Sequence, residues 1–523
     1  MSLRRKILIV FGVFFGVAIL VPVIRHYQLR AATEAYIARL KAQGEPMDLA
    51  QVIPPPVPPD QNGAPLITNA LAEIHSESNY TNAIFFNNPP YDMNRTIPGK
   101  EMIGWQQPAI HDSEDNGPTN TWGELGTQLA ERQNNLNDFR RLIEKPTLDF
   151  NMDYSDLKAL ALMSHLPRVK LAVEWLETSE LYNLHQGETG NACVDVRAML
   201  AFVKGETDER FEISQLVRFA ITQMSAGATW DILQTTNVSN EDLAQLQRDW
   251  QSLEFISSMK NTFLFERVND LRWLNDLRQS PTNLDEVVAW NMPSEEHRYK
   301  RTAGGTYVLE DDRAFPRKVI DQILLQWDKY QWRWFWSYTD EVRGLHMSQA
   351  LIDGIQMMET NKSFPLVQTF VKTNFAWFGF ASVKDNPYAI LAQNASSQLV
   401  AMRKVVNAEI TRNVVITAIA LKRYEIRHHQ LPNSLDELVP EFLKAVPIDY
   451  MDGQPLRYRR NADRTFLLYS VGENGEDDSG NPSLENGITS SSFYWQDEQA
   501  LDWVWPQPAT EQEVQNYYAH PPK

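Results

Sequence analysis

The chain has 523 residues with 49 Lys or Arg and 67 Asp or Glu, which gives a formal net charge of −18 and a pI near 5.1. This acidic balance argues against a nucleic-acid partner, because phosphate contacts need clustered Lys and Arg side chains. Its single cysteine, Cys193, excludes an intrachain disulfide and is expected to be a small buried hydrophobic residue.

The N-terminal 30 residues predict a membrane anchor. Ile7 to Ile24 is an unbroken apolar run of 18 residues, just long enough to cross the hydrocarbon core at about 1.5 Å per residue. The basic cluster Arg4-Arg5-Lys6 precedes it and favours a cytoplasmic N-terminus. We therefore expect a single-pass protein of the inner (cytoplasmic) membrane with its body in the periplasm or extracytoplasmic space. A cleaved signal peptide is the alternative, but its cleavage site would fall among polar and bulky residues between Arg25 and Ala32.

Residues 31–63 read as a spacer. A polar helix from Arg30 to Gln43 is expected to continue the anchor, and the proline-rich stretch Val52 to Pro59 is expected to be extended and stiff. Such a segment would hold the rest of the chain away from the membrane surface.

Residues 64–400 predict an irregular α-helical body. Apolar residues recur at spacings of three and four beyond Trp122, with Pro167 dividing one segment and Gln186 to Gly190 forming a short break. Ser239 to Asp242 has the pattern of a helix N-cap. The one strand-like stretch in this part is Thr306 to Leu309. We expect helical hairpins with almost no sheet.

Ile320 to Val342 carries an unusual density of aromatic side chains, with seven Trp, Tyr or Phe residues between Trp327 and Tyr338. Aromatic residues on all sides of a helix predict burial on most sides. The alternative is a stacking platform for sugars or lipid.

Residues 401–523 predict a small α+β module. A long helix is expected to end near His429, because Pro432 follows. Ser434 and Glu437 have the spacing of a capping box. The alternating stretches Leu456 to Arg460 and Thr465 to Val471 then predict an antiparallel hairpin.

The order of these pieces resembles the C-terminal domain of the major pseudopilin of bacterial type II secretion. The matching motifs are Leu431-Pro432, Leu435-Asp436-Glu437-Leu438, Pro447-Ile448-Asp449, Asp452-Gly453-Gln454-Pro455-Leu456-Arg457-Tyr458, Leu468-Tyr469-Ser470-Val471-Gly472 and Asp502-Trp503. The resemblance covers about 90 residues of the chain and implies a pseudopilin-like fold. Met1 to Lys6 lacks the glycine of a pseudopilin processing site, so the arrangement is more similar to envelope proteins that carry this module as a tail.

The acidic tail is the candidate metal site. Ten carboxylates lie between Glu473 and Glu513 with no Lys or Arg among them, and acidic side chains mixed with glycine are typical of calcium-binding loops. The resemblance implies calcium in the loop after the last strand, with Asp477, Asp478 and Asp502 as ligands. A solvated acidic loop without an ion is the alternative.

Catalytic motifs do not emerge from the sequence. His111 to Asp115 contains the residue types of a hydrolase, but contiguous residues cannot form a triad, and His165 and His185 show no metal-ligand spacing with a carboxylate. We therefore predict a non-enzymatic, membrane-anchored envelope scaffold or adaptor with an envelope protein as partner. A component of a type II secretion or pilus-like assembly, and an envelope enzyme whose site is assembled from distant residues, are the alternatives.

Overall fold

The computed structural model describes residues 3–76, 100–106, 122–156, 163–280, 299–301, 307–309, 327, 329–377, 391, 395–484 and 500–519. Helices predominate in these segments, and the sheets are small. The prediction of a mainly helical chain with a minor α+β part is confirmed at this level.

The helices are α1 (Leu3–Ala42), α2 (Leu49–Val52), α3 (Ala64–Ser76), α4 (Trp122–Glu131), α5 (Gln133–Arg140), α6 (His165–His185), α7 (Thr189–Gly205), α8 (Glu212–Leu233), α9 (Asn240–Gln251), α10 (Ile256–Gln279), α11 (Ser337–Asn361), α12 (Phe364–Trp377), α13 (Ala395–His428) and α14 (Glu511–Ala519). Short 3-10 turns occupy Gly104–Gln106, Arg141–Ile143, Glu206–Asp208 and Leu435–Leu438, and a π-helical turn occupies Trp332–Trp336.

The strands are β1 (Lys100–Glu101), β2 (Tyr299–Arg301), β3 (Tyr307–Leu309), β4 (Arg457–Arg460), β5 (Phe466–Ser470), β6 (Trp503–Val504) and β7 (Gln507–Pro508). β1 pairs with β7 in parallel, and β2 pairs with β3 antiparallel. The remaining sheet has the order β4-β5-β6, with both neighbours antiparallel.

The predicted membrane span lies largely outside the residues whose side chains the structure describes, which begin at Leu20 and omit Pro22. The backbone of α1 runs without interruption through this segment and on to Ala42, which confirms the predicted helical continuation. Among the residues searched, no helix has the length and apolar character needed to cross a membrane.

The described chain divides into two compact units. One comprises residues 1–53, 263–353 and 370–400, and the other comprises residues 54–262, 354–369 and 401–523. In the first unit Leu40, Met47 and Leu345 form a small core with partly buried neighbours from α1 and α10. The buried Arg267 donates to Glu45 and Gln349 within that unit.

The second unit is built around the consecutive helices α6, α7 and α8, which pack against one another. Pro167 falls in the first turn of α6, where a missing amide costs little. Gly187, with φ of +78°, terminates that helix and lets the chain turn back into α7. Ser239 accepts a hydrogen bond from the Asp242 amide at 3.0 Å, which confirms the predicted N-cap of α9.

The C-terminal part of the second unit begins with α13, which ends at His428 as predicted. The hairpin also forms as predicted, with Arg457 opposite Tyr469 and Arg460 opposite Phe466. The predicted capping box at Ser434 is wrong, because the Ser434 side chain caps nothing. Glu437 accepts hydrogen bonds from the Asn433 amide and the Tyr424 hydroxyl.

The prediction that the aromatic segment is buried on most sides is wrong for part of it. Trp332 is 1% exposed, but Trp327, Tyr330 and Trp334 are 54%, 50% and 38% exposed. Trp334 lies in the π-helical turn Trp332–Trp336, which shifts the spacing at which side chains share a face, whereas Trp327 and Tyr330 precede that turn.

Candidate functional site

The predicted calcium ligand Asp502 is buried and organises the acidic loop through backbone amides. Its Oδ2 accepts hydrogen bonds from the amides of Gly480 at 2.7 Å and Asn481 at 3.0 Å. Its Oδ1 lies 3.4 Å from the amide nitrogen of Asp478. Burial raises the pKa of Asp502, and the amide donors oppose that rise. Asp502 therefore acts in the fold as an acceptor around which the loop closes.

The other two predicted ligands lie in the same loop and point to different partners. Asp477 Oδ1 accepts from the Tyr469 hydroxyl and from the Ser479 amide, both at 2.9 Å. Asp478 Oδ2 accepts from the Asn474 side chain at 2.9 Å. The loop thus brings the amide of Asp478, rather than its carboxylate, to Asp502, and calcium binding by these three residues stays a prediction.

Cations from earlier in the chain reach the acidic tail. Arg403 Nε lies 3.1 Å from Glu473 Oε1, and Lys100 Nζ lies 2.5 Å from Glu513 Oε1. Arg457 approaches Asp477 at 3.8 Å. Part of the charge that looked unopposed in the sequence is therefore balanced by the fold.

A different cluster has the geometry of metal ligands. Among the described residues, one set of three His, Cys, Asp or Glu side chains places its ligand atoms within 4.8 Å of one another, and it consists of His165, Glu206 and Glu209. His165 Nε2 lies 2.8 Å from Glu209 Oε1. Both glutamates are buried, and the His165 side chain is 11% exposed. We call this set the His-Glu-Glu cluster.

The helical hairpin of α6 and α7 explains why these residues meet. His165 is the first residue of α6, and Glu206 opens the 3-10 turn that directly follows α7. Because the two helices are antiparallel and similar in length, the end of α7 lies beside the start of α6. Gly205 makes this return possible, since a Cβ at that position would lie 2.5 Å from Leu148 Cγ.

Helix α8 stabilises the turn that carries the two glutamates. Gln215 Nε2 donates to the carbonyl oxygens of Glu206 at 3.0 Å and Glu209 at 2.8 Å. On the opposite side the Phe150 ring stacks on the His165 ring at 4.5 Å between centroids. The cluster is therefore supported by groups that fix its backbone and its imidazole plane.

The electrostatics of the His-Glu-Glu cluster are unusual for a buried site. Within the described residues, no group donates a hydrogen bond to either carboxylate oxygen of Glu206 or to the Oε2 of Glu209. Burial, reinforced by the charge of Glu209, raises the pKa of Glu206 well above its usual value. The nearby buried guanidinium of Arg218 opposes that rise, but its N–H groups donate to neutral acceptors: the Val203 and Glu254 carbonyls and the side chains of Gln215 and Ser258.

The cluster was not predicted from the sequence, because only ligands close to each histidine along the chain were considered. The glutamates follow His165 by about 40 positions, and Glu209 is 44 residues away. A signal was available in the predicted hairpin, since a turn near Gly187 places positions 165 and 206 at the same end of two antiparallel helices. The spacing of Glu206 and Glu209, three residues apart on a turn, would then have marked a convergent pair.

A second group of acids, two of them buried and two half-buried, lies in the same unit. Burial raises the pKa of Asp231 to about 7 and, together with the charge of Asp231, that of Glu101 to about 8. Burial likewise raises the pKa of Glu177 and Glu180 well above the usual value, and neither carboxylate oxygen of Glu180 has a hydrogen-bond partner. Glu101 is therefore mainly neutral at pH 7, whereas Asp231 titrates near that pH.

Cys193 is buried, as predicted, and burial raises the pKa of its thiol to about 12. His165 does join a cluster, whereas His185 stacks on Trp122 at 4.0 Å and lies outside it. The acidic stretch His111 to Asp115 lies outside the described residues.

The first unit contributes an exposed aromatic surface next to α1. Trp327, Tyr330 and Trp334 form a row with ring centroids 5.9 and 6.3 Å apart. His26 of α1 contacts Trp334 through its ring at 5.1 Å and lies 3.1 Å from the Trp334 carbonyl. On α1 itself Leu20, Val21, Ile24 and Tyr27 are exposed. We use the name aromatic collar for seven exposed side chains: Leu20, Val21, Ile24, Tyr27, Trp327, Tyr330 and Trp334.

Comparison with protein-family models, curated proteins and solved structures gives no match for this chain. The function is therefore argued from the residues and their geometry.

Proposed function

We propose that this protein is a membrane-anchored scaffold or adaptor of the cell envelope, with a helical body that binds a partner protein. Ile7 to Ile24 serves as the anchor, the N-terminus is cytoplasmic, and the body lies in the periplasm or extracytoplasmic space. The observation that carries the anchoring part is the aromatic collar, which lies where the apolar run ends.

The composition of the collar supports a position at a membrane surface. Trp and Tyr side chains concentrate at the boundary between hydrocarbon and water, because one end of each ring system is apolar and the other is polar. The exposed residues Leu20, Val21 and Ile24 belong to the C-terminal end of the apolar run on the same helix. A row of exposed rings beside them would be costly in water and is stabilised at the lipid headgroup level.

The body supports a binding role more than a catalytic one. The described part of the second unit consists of packed helical hairpins followed by a small sheet, with Trp250, Phe202 and Trp503 fully buried. Such arrays offer extended surfaces built from rigid elements, which suit the recognition of another protein.

Membrane seating can be tested with the full-length protein in vesicles whose acyl chains are brominated near the headgroup. We expect the lipid to quench part of the tryptophan fluorescence and the double variant Trp327→Phe/Trp334→Phe to lose that part, because those indoles would touch lipid. Trp332→Phe is the matched control: it removes a buried indole from the same segment and should leave the quenched part intact.

Equal quenching in the double variant and the wild type would contradict the proposed position of the collar at the membrane surface. Orientation has its own readout, because a reporter active only in the cytoplasm and fused after Lys523 should give no signal. A bright reporter would reverse the proposed topology.

A role in a type II secretion or pilus-like assembly is the second candidate. The order of elements in the tail favours it, since α13 is followed by the 3-10 turn Leu435–Leu438 and the β4-β5 hairpin, the order on which the resemblance to pseudopilins depends. Recovery of the chain in sheared surface filaments would favour this role, and its retention in the membrane fraction would favour the scaffold.

A further inference from the structure

We propose that His165, Glu206 and Glu209 bind one divalent transition-metal ion of the Zn²⁺ or Mn²⁺ class, which fastens the start of α6 to the turn between α7 and α8. This site is separate from the acidic tail and from the membrane anchor. It does not depend on the proposed scaffold function.

The ligand atoms are already close to the spacing that such an ion needs. A tetrahedral ion with bonds of about 2.0 to 2.1 Å places its ligand atoms about 3.3 Å apart. The three ligand atoms here all lie within 4.8 Å of one another, and the His165 Nε2 to Glu209 Oε1 distance is 2.8 Å. Rotamer adjustments of about 1 Å would complete the geometry, with a water molecule as a fourth ligand.

The buried oxygens of Glu206 are available as ligands for a cation. A buried carboxylate is normally paired, hydrogen-bonded or bound to a metal, because removing it from water is costly. Glu206 is 0% exposed, and no described residue donates a hydrogen bond to either of its oxygens. Arg218, the nearby buried cation, directs its N–H groups to neutral oxygens instead.

The chemistry of the ligand set selects the class of ion. One imidazole nitrogen and two carboxylates suit Zn²⁺, Mn²⁺ and Fe²⁺, whereas Ca²⁺ and Mg²⁺ prefer sites made of oxygen alone. The surroundings also fit a metal ligand, because Phe150 fixes the imidazole plane and Gln215 fixes the backbone of both glutamates.

The test uses purified full-length protein that has been stripped with a chelator and then offered Zn²⁺ or Mn²⁺, with Ca²⁺ as a comparison. We expect about one equivalent of Zn²⁺ or Mn²⁺ per chain after gel filtration. Zn²⁺ should raise the melting temperature by about 4 °C or more. Ca²⁺ should not compete with Zn²⁺ at this site.

Glu206→Gln removes one ligand with little change of shape. Because loss of a group that only supports a metal ligand weakens binding by about 10- to 100-fold, loss of a ligand should weaken Zn²⁺ binding at least as much. Glu209→Gln provides a second variant should the first fail to fold. Glu180→Gln is the matched control, since Glu180 is also fully buried with unpartnered oxygens but lies outside the cluster.

The rival explanation is that the cluster holds a proton rather than a metal. In that case stripped wild type would take up no Zn²⁺ or Mn²⁺ in stoichiometric amount, and Glu206→Gln would be as stable as the wild type with or without Zn²⁺. Either result overturns the proposal. Uptake that disappears in Glu206→Gln and Glu209→Gln but persists in Glu180→Gln supports it.

Discussion

Two sites in the second unit each contain a buried carboxylate, and the groups that surround that carboxylate differ between the two sites. Asp502 in the C-terminal loop accepts hydrogen bonds from the Gly480 and Asn481 amides. Glu206 in the helical body has unpartnered oxygens and faces Glu209 and His165. The comparison teaches that acidic density in a sequence does not identify a metal site, because the fold decides whether amides or cations meet each carboxylate.

Asp195 is a third buried carboxylate, and its hydrogen-bond donors are side chains. Its carboxylate accepts hydrogen bonds from Arg140 at 2.6 Å and from Ser179 and Asn183 at 2.8 Å each. A buried acid can therefore be compensated by side chains from neighbouring helices as fully as by backbone amides. Glu206 differs from both Asp195 and Asp502, and that difference is the basis of the metal proposal.

The largest expected effect concerns half-buried acids whose pKa is raised in the folded protein. The pKa of Glu101 is raised from 4.5 to about 8 in the folded protein, so folding favours its neutral form. The resulting stability is present below the unfolded pKa near 4.5 and is lost as the pH rises through about 8. The second unit should therefore lose stability between about pH 4.5 and 8, by about 3 to 4 kcal/mol after allowance for partial exposure of the side chain.

Glu101→Gln isolates this contribution, because it fixes the side chain in a neutral form. Chemical unfolding of the full-length protein at several pH values should show a flatter dependence for the variant than for the wild type. The pKa of Asp231 is also raised, to about 7, so Asp231→Asn should flatten the lower part of the same range. Identical pH profiles for wild type and both variants would show that these acids are ionised in the folded chain.

The next effect tests the role of Asp502 as an acceptor. Asp502→Ala removes a charged acceptor from the amides of Gly480 and Asn481, at a cost of about 1 to 3 kcal/mol for the loop as a whole. Hydrogen exchange at these two amides should accelerate about 10-fold or more, since about 1.4 kcal/mol corresponds to a factor of ten. Asp478→Asn is the control, because it keeps the backbone amide and changes a side chain that contacts Asn474 at 2.9 Å. Unchanged protection in Asp502→Ala would mean that the loop closes without this carboxylate.

Local patterns explain which parts of the fold were predictable. Helix α9 with its Ser239 cap, the end of α13 at His428 and the β4-β5 hairpin each depend on residues within a few positions of one another, so spacing alone indicates them. The exposure of Trp334 was not predicted, because the π-helical turn in which it lies changes the face that each side chain occupies.

Long-range contacts explain why the candidate sites were harder to predict. Lys100 meets Glu513 across 413 positions, and His165 meets Glu209 across 44. Neither pair leaves a local pattern, because each depends on how whole helices and loops return to one another. The acidic residues of the tail are close together in the sequence, so their density is visible there. The Lys and Arg side chains that meet them come from distant segments.

The smallest expected effect is the binding of calcium by the acidic loop. The carboxylates of Asp477 and Asp478 retain lone pairs in the loop around Asp502, and glycines with positive φ at positions 472, 475 and 480 let the backbone turn sharply around an ion. A site of the extracellular type, with a dissociation constant of about 10⁻⁴ M, would stabilise the loop by about 1.4 kcal/mol in about 1 mM calcium. We expect calcium to slow hydrogen exchange in residues 472–484 of the full-length protein, and Asp478→Ala to remove that protection. Glu206→Gln should leave it unchanged, because the His-Glu-Glu cluster belongs to the helical body. Equal exchange with and without calcium would show that the amides around Asp502 are sufficient and that the loop holds no ion.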